Sequence, residues 1–516
     1  MLPEALRYKT IDNDILNYIN ELKSSAIEYQ NKYLEIKERY DILIYRRFGR
    51  SAEQCMADEK QQLLFTEAAE GTVEGKLSEV KSYTRQSKTP QKPGRKPLDP
   101  KLRREEVIID IPEEEKTCAC GARLTGIGEE TSEKLQIIPS QIYVEKTIRL
   151  KYACRSCEGT EDEDKPVVRI AAVPPSIIPK GIASPSLLST IITYKFEKHL
   201  PYYRQEKLYE QIGAEISRQD MSNWQQKVYE NLKPLFDILR EKIKSGPILQ
   251  MDETTVKVMG EEDRLDTQKS YMWLARGGQP GLPIVLYEYR TTRGAYNAKE
   301  FLSGYSGYLQ TDGYEGYDAA VRGMPGIIHV GCFAHARRKF FEASKATKNP
   351  QSAEEGIKHI RKLYILEDEL RKQNLEPKIF LSERKIRAGP ILNTFKTWLI
   401  KRKEEVPPSL LLGKALYYSL AQWDKMTAYL ESPYLTPDNN ACENAIRPFV
   451  LGRKNWLFCQ SPKGAESSCG MYSLIETARQ NGLIPFLYLM ALFQKAPFAI
   501  STDDWEKLLP WNIFSA

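Results

Sequence analysis

The chain contains 516 residues, of which 41% are hydrophobic and 28% are charged, and its formal net charge is +6. Because a single hydrophobic core stops growing at roughly 250–300 residues, a chain of this length is expected to form several domains. The ordinary hydrophobic content excludes a protein that is mostly disordered, collagenous or fibrous.

The hydropathy pattern restricts where the protein works. The longest apolar run, Leu483–Phe493, has 11 residues, whereas a membrane-spanning helix needs about 20. The first residues contain none of the apolar stretch that is typical of a secretory signal. We therefore expect no membrane partner and a location in the reducing cytosol, where the nine cysteines stay free of disulfides.

Apolar residues near the N-terminus recur in steps of three and four, the spacing of a coiled-coil seam. The seam consists of Ile15, Ile19, Leu22, Ala26, Tyr29, Tyr33, Ile36, Tyr40 and Leu43. We interpret residues 1–60 as a coiled-coil segment through which the protein forms a homodimer or a higher oligomer. The alternative is a single amphipathic helix packed on another domain, because periods of 3.5 and 3.6 residues separate poorly over four heptads.

Residues 61–110 are interpreted as a basic, proline-rich linker. Between positions 81 and 104 there are nine basic residues and one acidic residue, a net charge of +8, and too few large apolar side chains to form a core. The segment is either a solvated linker or an arm along DNA phosphates, with Arg95 able to enter a narrow minor groove. The candidate DNA contacts in it are Arg95, Lys96, Arg103 and Arg104.

Two pairs of cysteines flank a β-rich stretch, 141–153, whose alternating apolar residues predict a strand. The cysteines are Cys118, Cys120, Cys154 and Cys157. Four thiolates at this spacing fit a structural zinc site, in which the metal replaces the core that a small module lacks. We interpret residues 111–170 as a zinc-binding module; the alternative is four cysteines that cluster without a metal.

Residues 171–245 have a helical pattern and are interpreted as a DNA-binding segment similar to a helix-turn-helix. Within it a glycine separates two helical runs, and Ser217 is expected to cap the second run, ahead of Met221 and Trp224. The turn has two residues more than a helix-turn-helix needs, so a plain helical connector is the equally supported alternative.

A change of composition after residue 245 marks an α/β domain. Strands are predicted within 246–259, 270–278, 282–292, 307–314 and 327–333, and helices over Ala295–Gly304 and Tyr317–Arg322.

An all-α insertion, residues 346–431, is expected to interrupt this domain. Helix breaks are predicted in it at Gly389-Pro390 and at Pro407-Pro408. The α/β domain then comprises residues 246–345 plus 432–465, and a C-terminal helical segment spans residues 466–516.

Three carboxylates are the candidate catalytic residues. Asp252 lies within the first strand of the α/β domain and Asp312 ends the fourth, where Gly313 is expected to leave room for a substrate. Buried charges in such strands need a partner. With Glu443 on a later helix they form the set that two-metal phosphoryl transfer requires, because two Mg²⁺ ions bring four positive charges together. We expect two Mg²⁺ ions, for which Mn²⁺ substitutes; the alternative is three unrelated acids.

The helix around Glu443 is predicted to begin with Thr436 as its N-cap and Pro437 in its first turn. Its polar face consists of Asn439, Asn440, Glu443 and Arg447. Pro448 is expected to kink or end this helix. Candidate DNA contacts in this region are Arg447, Arg453 and Lys454.

A basic segment follows the fifth strand. His329, Cys332 and His335 are spaced three apart, so a second metal site is one interpretation. The favoured interpretation is a basic edge beside the active site that contacts DNA or structural carboxylates, because the segment changes from strand to helix between these residues. Its members are His335, Arg337, Arg338 and Lys339.

An ordered set of motifs extends over nearly the whole chain. The motifs are FGRSAEQ, CACGARL with YACRSCE, GIASPSLLSTIITYKFEKHLPYYRQE, MDET, LQTDGYEGY, GCFAHARRKF, NNACENAIRPFVLGRKNWLF, SPKGAESSCGMYSLIETARQNG and LLPWN. In these motifs the chain resembles the transposases of the insertion-sequence 66 family. The resemblance implies a ribonuclease-H-like DDE core in which Asp252, Asp312 and Glu443 are catalytic and bind the metal, and a zinc module at the four cysteines.

The same resemblance implies the function. A transposase of this family would bind the terminal inverted repeats of a mobile element in the bacterial cytosol, at the nucleoid, and would perform metal-dependent strand cleavage and strand transfer. Small accessory proteins of the same element are implied as partners. The alternatives are a catalytically idle, transposase-derived DNA-binding regulator and a ribonuclease-H-like nuclease without strand transfer.

The expected fold class is thus multidomain α/β. It comprises an N-terminal coiled coil, a small zinc-binding module, a helical DNA-binding segment and a ribonuclease-H-like catalytic domain with an all-α insertion.

Overall fold

A computed structural model describes residues 13–48, 141–153, 168–347 and 350–515. The chain divides into two compact units, one of residues 1–68 and 147–516 and the other of residues 69–146. Of the second unit the structure describes residues 141–146 alone.

The helices are α1 (Asn13–Phe48), α2 (Pro185–Phe196), α3 (Tyr202–Gln211), α4 (Arg218–Asn231), α5 (Lys233–Ile243), α6 (Ala295–Leu302), α7 (Glu315–Val321), α8 (Phe333–Lys345), α9 (Gln351–Lys372), α10 (Pro377–Glu405), α11 (Leu411–Ala421), α12 (Trp423–Thr427), α13 (Asn440–Trp456), α14 (Pro462–Gln480), α15 (Pro485–Lys495) and α16 (Thr502–Glu506). The strands are β1 (Lys151–Ala153), β2 (Val168–Ile170), β3 (Ile248–Val256), β4 (Ser270–Gly277), β5 (Ile284–Arg290), β6 (Gly307–Gln310) and β7 (Ile327–Val330). In the described part of the chain, no helix combines the length and the apolar character needed to cross a membrane.

From Ile19 to Leu43, the predicted seam lies on an exposed face of the N-terminal helix α1. Leu22 and Ile36 of the seam are 52% and 66% exposed. The helix touches the rest of its unit through another face, where Glu38 Oε2 accepts a hydrogen bond from the backbone N–H of Leu411 at 2.9 Å. Because an α-helix turns by about 100° per residue, Glu38 and the half-buried Leu34 lie roughly opposite the seam. The intramolecular contact therefore leaves the seam uncovered.

The strand predicted over residues 141–153 is wrong for its first ten residues. Only β1, its last three residues, pairs, and its partner is the antiparallel β2. Residues 141–150 belong to no strand. Alternation of apolar residues reports a face that could be buried, but a strand also needs a partner for its backbone hydrogen bonds.

Of the segment 171–245 that was expected to be helical, residues 185–243 contain the helices α2–α5, whereas residues 171–184 contain no helix. The Ser217 side chain accepts a hydrogen bond from the backbone N–H of Asp220 and caps α4, as predicted. Met221 and Trp224 are buried on the inner face of α4. The turn between α3 and α4 contains Gly213 with φ of +81°, a conformation that glycine adopts without steric cost.

A five-stranded mixed sheet forms the centre of the larger unit, and its strands confirm the five predicted from the sequence. The strand order is β5-β4-β3-β6-β7. The pairs β5-β4 and β4-β3 are antiparallel, whereas β3-β6 and β6-β7 are parallel. Helix α14 covers the edge strand β5, because Ser473 and Thr477 accept hydrogen bonds from the backbone N–H groups of Tyr287 and Val285 at 2.8 and 3.0 Å.

Helices α8–α12 surround a second hydrophobic core beside β7. The break predicted at Pro407-Pro408 is confirmed, because α10 ends at Glu405 and α11 begins at Leu411. The break predicted at Gly389-Pro390 is wrong, since α10 continues through it. Pro390 and Ile386 lie on the exposed side of α10, where water can bind the carbonyl that proline leaves without a donor.

Helix α13 begins four residues after Thr436, so the predicted N-cap is wrong. The Thr436 hydroxyl donates to the backbone oxygen of Asp438 at 2.7 Å, and the Asp438 carboxylate accepts from the backbone N–H of Asn440 at 3.0 Å. These side chain to backbone bonds form a turn that competes with an earlier helix start. Pro448 does not end α13, which continues to Trp456.

Candidate active site

The parallel pairing of β3 and β6 places two of the three predicted catalytic carboxylates at the same level of the sheet. Gln250 is opposite Gln310 in the register. Asp252 and Asp312 each follow their paired glutamine by two residues, so both lie beyond the same paired position of the two strands. Side chains two residues apart on a strand share a face, so Asp252 on β3 extends the row that Gln250 begins. Asp312 lies two residues beyond the end of β6.

A chain of buried amides fixes that register. Gln250 Nε2 donates to Gln310 Oε1 at 2.8 Å, and Gln310 Nε2 donates to the backbone oxygen of Thr436 at 2.7 Å. The guanidinium of Arg276 on β4 donates to Gln250 Oε1 at 3.2 Å. A shift of one residue would break each of these bonds, because it would reverse the faces of the side chains.

The third carboxylate reaches the sheet through the start of α13. Asn439, which is buried, donates from Nδ2 to the backbone oxygen of Met251 at 3.1 Å. Its own backbone N–H donates to Cys332 Sγ at 3.3 Å. These two bonds join α13 to β3 beside Asp252 and to the start of α8. Glu443, one turn into α13, therefore lies close to the two aspartates.

The carboxylates influence one another electrostatically. Burial raises the pKa of Asp252 well above its usual value, and the charges of Glu253, Glu443 and Asp312 raise this pKa further. Backbone N–H groups hold the aspartates in place, since Asp252 Oδ1 accepts from Glu253 at 2.8 Å and Asp312 Oδ1 from Tyr314 at 2.9 Å. Carboxylates that repel one another in this way are stabilised by a cation between them.

Glu253 is a buried carboxylate that sequence reasoning missed. Arg293 Nε donates to its Oε1 at 2.6 Å, and the Tyr317 hydroxyl donates to its other oxygen. Arg293 neutralises the charge of Glu253, and Tyr317 hydrogen-bonds its other oxygen. Glu253 is therefore a structural neighbour of Asp252 and not a fourth candidate catalytic carboxylate. The signal in the sequence was the pair of consecutive acids in a buried strand. Adjacent residues of a strand face opposite sides of the sheet, so the second acid needs partners of its own.

The basic edge predicted after β7 meets Glu443. Arg338 lies 3.4 Å from Glu443 Oε2 and His335 Nδ1 lies 3.7 Å from Oε1. Burial lowers the pKa of His335, which favours the neutral imidazole. His329 is not part of this group, because its two ring nitrogens bond Asp318 and Thr311, each at 2.8 Å. The alternative metal set of His329, Cys332 and His335 is therefore not assembled.

Gly313 leaves room for a protein side chain, not for a substrate as predicted. A Cβ atom at this position would lie 2.5 Å from the Tyr418 hydroxyl and 2.7 Å from its ring. Tyr418 belongs to α11, and Lys339 Nζ lies 4.7 Å from the centre of its ring. The glycine thus allows the helical insertion to pack beside Asp312.

The remaining predicted site residues have different surroundings. The Arg453 guanidinium donates to the Thr254 hydroxyl at 3.2 Å and to the backbone oxygen of Thr255, and so ties α13 to β3. Lys454 is exposed, and Arg337 and Arg447 are half-buried. Eight predicted residues lie outside the described part of the chain: Arg95, Lys96, Arg103, Arg104, Cys118, Cys120, Cys154 and Cys157.

Comparison with known protein families identifies the family of the chain. The family model described as "Transposase IS66 family" matches residues 180–467, which contain the whole sheet and all three carboxylates. The chain belongs to this family. The resemblance predicted from the motifs is confirmed, and the family relationship implies a transposase with DNA as its partner.

Three further matches cover most of the remaining chain of this IS66 transposase. They are the zinc-finger binding domain of transposase IS66 at residues 115–158, the IS66 C-terminal element at residues 473–511, and the Transposase C of IS166 homeodomain at residues 35–107. The four predicted zinc ligands fall within the first of these ranges, and part of the predicted coiled coil falls within the last.

Curated relatives resemble the chain over most of its length. The uncharacterized protein y4jD of Sinorhizobium fredii (strain NBRC 101917 / NGR234) is 32% identical over 80% of this chain and 80% of its own length. The uncharacterized protein y4qI of the same strain is 32% identical over 88% of this chain and 84% of its own length. The similarity therefore extends beyond the catalytic region.

Proposed function

We propose that this transposase cuts the ends of a mobile element and joins them to target DNA, with Asp252, Asp312 and Glu443 holding two Mg²⁺ ions, for which Mn²⁺ substitutes. The observation that carries the proposal is geometric: the paired strands β3 and β6 lead to Asp252 and Asp312, and the bond from Asn439 to β3 holds the helix of Glu443 beside Asp252. The raised pKa of Asp252, which burial and the neighbouring carboxylates cause, agrees with this grouping. Such a group of negative charges is costly without a cation.

The oxygen atoms around Asp252 fit a divalent ion. Among the described residues, Glu443 Oε1 and the side-chain oxygens of Asn439 and Asn440 are buried without a hydrogen-bond partner. Carboxylate and amide oxygens are the ligands that Mg²⁺ prefers. Two bound ions supply the charge that activates an attacking oxygen and stabilises a leaving one.

The order of the strands supports a ribonuclease-H-like core. Three antiparallel strands, β5-β4-β3, continue into the parallel strands β6 and β7. In this arrangement the first carboxylate lies on the central strand, the second follows its parallel neighbour and the third comes from a helix that crosses them. Helices α9–α12, between α8 and α13, would then form the insertion expected at residues 346–431.

The chain's own residues orient these carboxylates. The backbone N–H groups of Glu253 and Tyr314 hold one oxygen of each aspartate. Arg338 lies against Glu443 Oε2, which leaves Oε1 directed elsewhere. Asn439 holds α13 on the backbone of Met251 and thereby sets the distance from Glu443 to the sheet. Such constraints reduce the reorganisation needed when a phosphate binds.

The exposed seam of α1 supports self-association. Its side chains are uncovered, whereas the opposite face of α1 contacts α11 through Glu38. A row of exposed apolar residues at a/d spacing is what a second helix covers in a coiled coil. We assign this face to a homodimer or a higher oligomer that holds two element ends together.

The zinc-finger match at residues 115–158 supports a structural zinc ion. Four cysteines lie in this range, at positions 118, 120, 154 and 157. The basic residues of the linker before them would contact DNA mainly at phosphates. The α3-α4 pair is the further candidate for contacts with the element ends.

A joining assay tests the proposed activity. The substrates are labelled duplexes taken from the DNA that flanks this chain's gene, including its terminal inverted repeats, and a supercoiled target plasmid. We expect cleavage at the repeat and covalent transfer of the labelled strand to the plasmid in Mg²⁺ or Mn²⁺, and neither with a chelator or with a scrambled repeat.

The same assay separates the two alternatives. Cleavage without a joined product identifies a nuclease that lacks strand transfer. Binding of the repeat with neither cleavage nor joining identifies a regulator. Either result contradicts the proposed transposition chemistry.

A further inference from the structure

His335 faces the catalytic carboxylate without bonding to it. Its Nδ1 lies 3.7 Å from Glu443 Oε1, a separation too long for a hydrogen bond. Both atoms are buried and, among the residues that the structure describes, neither has a hydrogen-bond partner. A buried polar atom without a hydrogen-bond partner costs free energy. Two such atoms side by side therefore require an explanation.

The separation fits two ligands of one ion. Metal to ligand distances for nitrogen and oxygen are about 2.1 Å, so two ligands of the same ion can lie up to about 4.2 Å apart. Cys332 Sγ, His335 and Glu443 each have a potential ligand atom within 4.8 Å of the other two. Of these, Cys332 Sγ already accepts the backbone N–H of Asn439 at 3.3 Å, which leaves the imidazole and the carboxylate for the ion.

The surrounding elements hold His335 in this position. It is the third residue of α8, directly after the point where Cys332 bonds the start of α13. The backbone N–H of Phe333 also donates to the carbonyl oxygen of Pro437 at 2.9 Å. The first turn of α8 is thus fixed to the start of α13. Arg338, one turn later, approaches the other oxygen of Glu443 at 3.4 Å, so Oε1 remains on the side of His335.

We propose that His335 Nδ1 is a ligand of the divalent ion that Glu443 binds. This inference rests on the proposed function, because it assigns one more ligand to one of its two metals. An imidazole in an otherwise all-oxygen site changes the choice of metal. Mg²⁺ prefers oxygen, whereas imidazole binds later transition metals more tightly, so the site gains affinity for Mn²⁺ relative to Mg²⁺.

Electron spin-echo spectroscopy of the Mn²⁺-loaded full-length protein tests the ligand directly. The chain contains four histidines, so an imidazole signal has few sources. We expect ¹⁴N modulation from a directly bound nitrogen in the wild-type protein, and its replacement by ¹⁵N features after labelling with ¹⁵N-histidine.

Variants then identify which histidine is responsible. The modulation should disappear in His335→Asn and His335→Asp, and should persist in the control His199→Asn. Asparagine suits that control because His199 has a φ of 57°, a conformation that asparagine tolerates. In calorimetric titrations we expect His335→Asn to bind Mn²⁺ at least about tenfold more weakly, with a smaller loss for Mg²⁺. His335→Asp, which supplies a negatively charged carboxylate oxygen in place of the imidazole nitrogen, should recover most of the Mn²⁺ affinity.

Two outcomes overturn the inference. Bound Mn²⁺ without ¹⁴N modulation in the wild-type protein shows that His335 is not a ligand, and so does modulation that persists in both His335 variants. Failure of the proposed function gives a different result, since Mn²⁺ would then either not bind or bind equally well to Asp252→Asn.

Discussion

Arg384 is expected to hold the helical insertion to the segment that leads into the active site. Its side chain is fully buried. It donates to the carbonyl oxygens of Tyr429, Ser432 and Leu435 at 3.0, 2.8 and 2.9 Å, and to Glu367 Oε1 at 2.7 Å. The carbonyls lie just before the turn at Asp438 that starts α13. Replacing Arg384 with methionine keeps much of its volume and removes all four bonds.

The loss can be estimated from these contacts. Each buried carbonyl without a donor costs about 1–3 kcal/mol, and breaking a buried ion pair costs about 3–5 kcal/mol. Two of the three carbonyls keep a donor, since Ser432 O accepts from the backbone N–H of Leu435 at 3.3 Å and Leu435 O accepts from Arg371 at 3.0 Å. Glu367 also keeps a second partner, since Arg371 lies 2.7 Å from it. The loss is therefore about 1 kcal/mol for the Tyr429 carbonyl and about 3 kcal/mol for the broken ion pair. We expect Arg384→Met to reduce local stability by about 4 kcal/mol.

Hydrogen exchange is the appropriate assay, because it reports the stability of one region of a multidomain protein. A loss of about 4 kcal/mol corresponds to roughly a thousandfold faster exchange of the protected amides in α9 and α10. The matched control is Arg387→Met in the same helix, whose ion pair with Glu369 is 39% and 52% exposed and is worth less than about 1 kcal/mol. Exchange that rises equally in both variants would refute this interpretation of the buried cluster.

Three further predictions concern other parts of the chain. Burial raises the pKa of Glu476 to about 7, although Arg479 opposes the shift. Because the pKa of Glu476 is higher in the folded protein than in the unfolded chain, this group contributes stability that is fully present at pH 4. That contribution is lost as the pH rises through about 7. Glu476→Gln should therefore be more stable than the wild-type protein at pH 8 by about 2–3 kcal/mol, with a smaller difference at pH 5, as measured by thermal unfolding. Replacing both Leu22 and Ile36 with lysine should convert the oligomer to a monomer in analytical ultracentrifugation, since like charges would meet in the seam; an unchanged sedimentation coefficient argues against the coiled coil. Elemental analysis should find one zinc per chain in the wild-type protein and none in Cys154→Ser, and a chain without zinc rules out the proposed ligand set.

Local patterns predicted the secondary structure of the sheet because the strands are buried and continuous. Asp252 follows the apolar residues Ile248, Leu249 and Met251 in its strand, and the aspartate was therefore conspicuous. Patterns failed at two positions for different reasons. Thr436 has the composition of an N-cap, but its hydroxyl donates to the backbone oxygen of Asp438 in a local turn that competes with the helix start. Pro390 lies on an exposed side of α10 where a helix tolerates it, and this exposure depends on the tertiary structure, which the local sequence does not contain.

The active site, too, could be predicted only in part from the sequence. The sequence identified which carboxylates to examine, and the register of β3 and β6 explains why two of them are level. Other contacts around the site could not be predicted, because the residues that make them come from elements far away in the chain. Tyr418 fills the space beside Gly313, and Arg293 reaches Glu253 from the loop after β5. Side-chain contacts of this kind follow from packing, not from spacing.

The central claim is that Asp252, Asp312 and Glu443 together bind the metal ions that perform cleavage. The most direct test is the rate of Mg²⁺-dependent cleavage of a labelled element end by Asp252→Asn, Asp312→Asn and Glu443→Gln. Asp318→Asn is the matched control, because this nearby carboxylate pairs with Lys425 at 2.6 Å. We predict that each of the three variants binds the end but cleaves it at least about a thousandfold more slowly, since a lost metal ligand removes several kcal/mol of stabilisation. We also predict that the control retains most of its activity. Cleavage by any of the three variants at the wild-type rate would contradict the account.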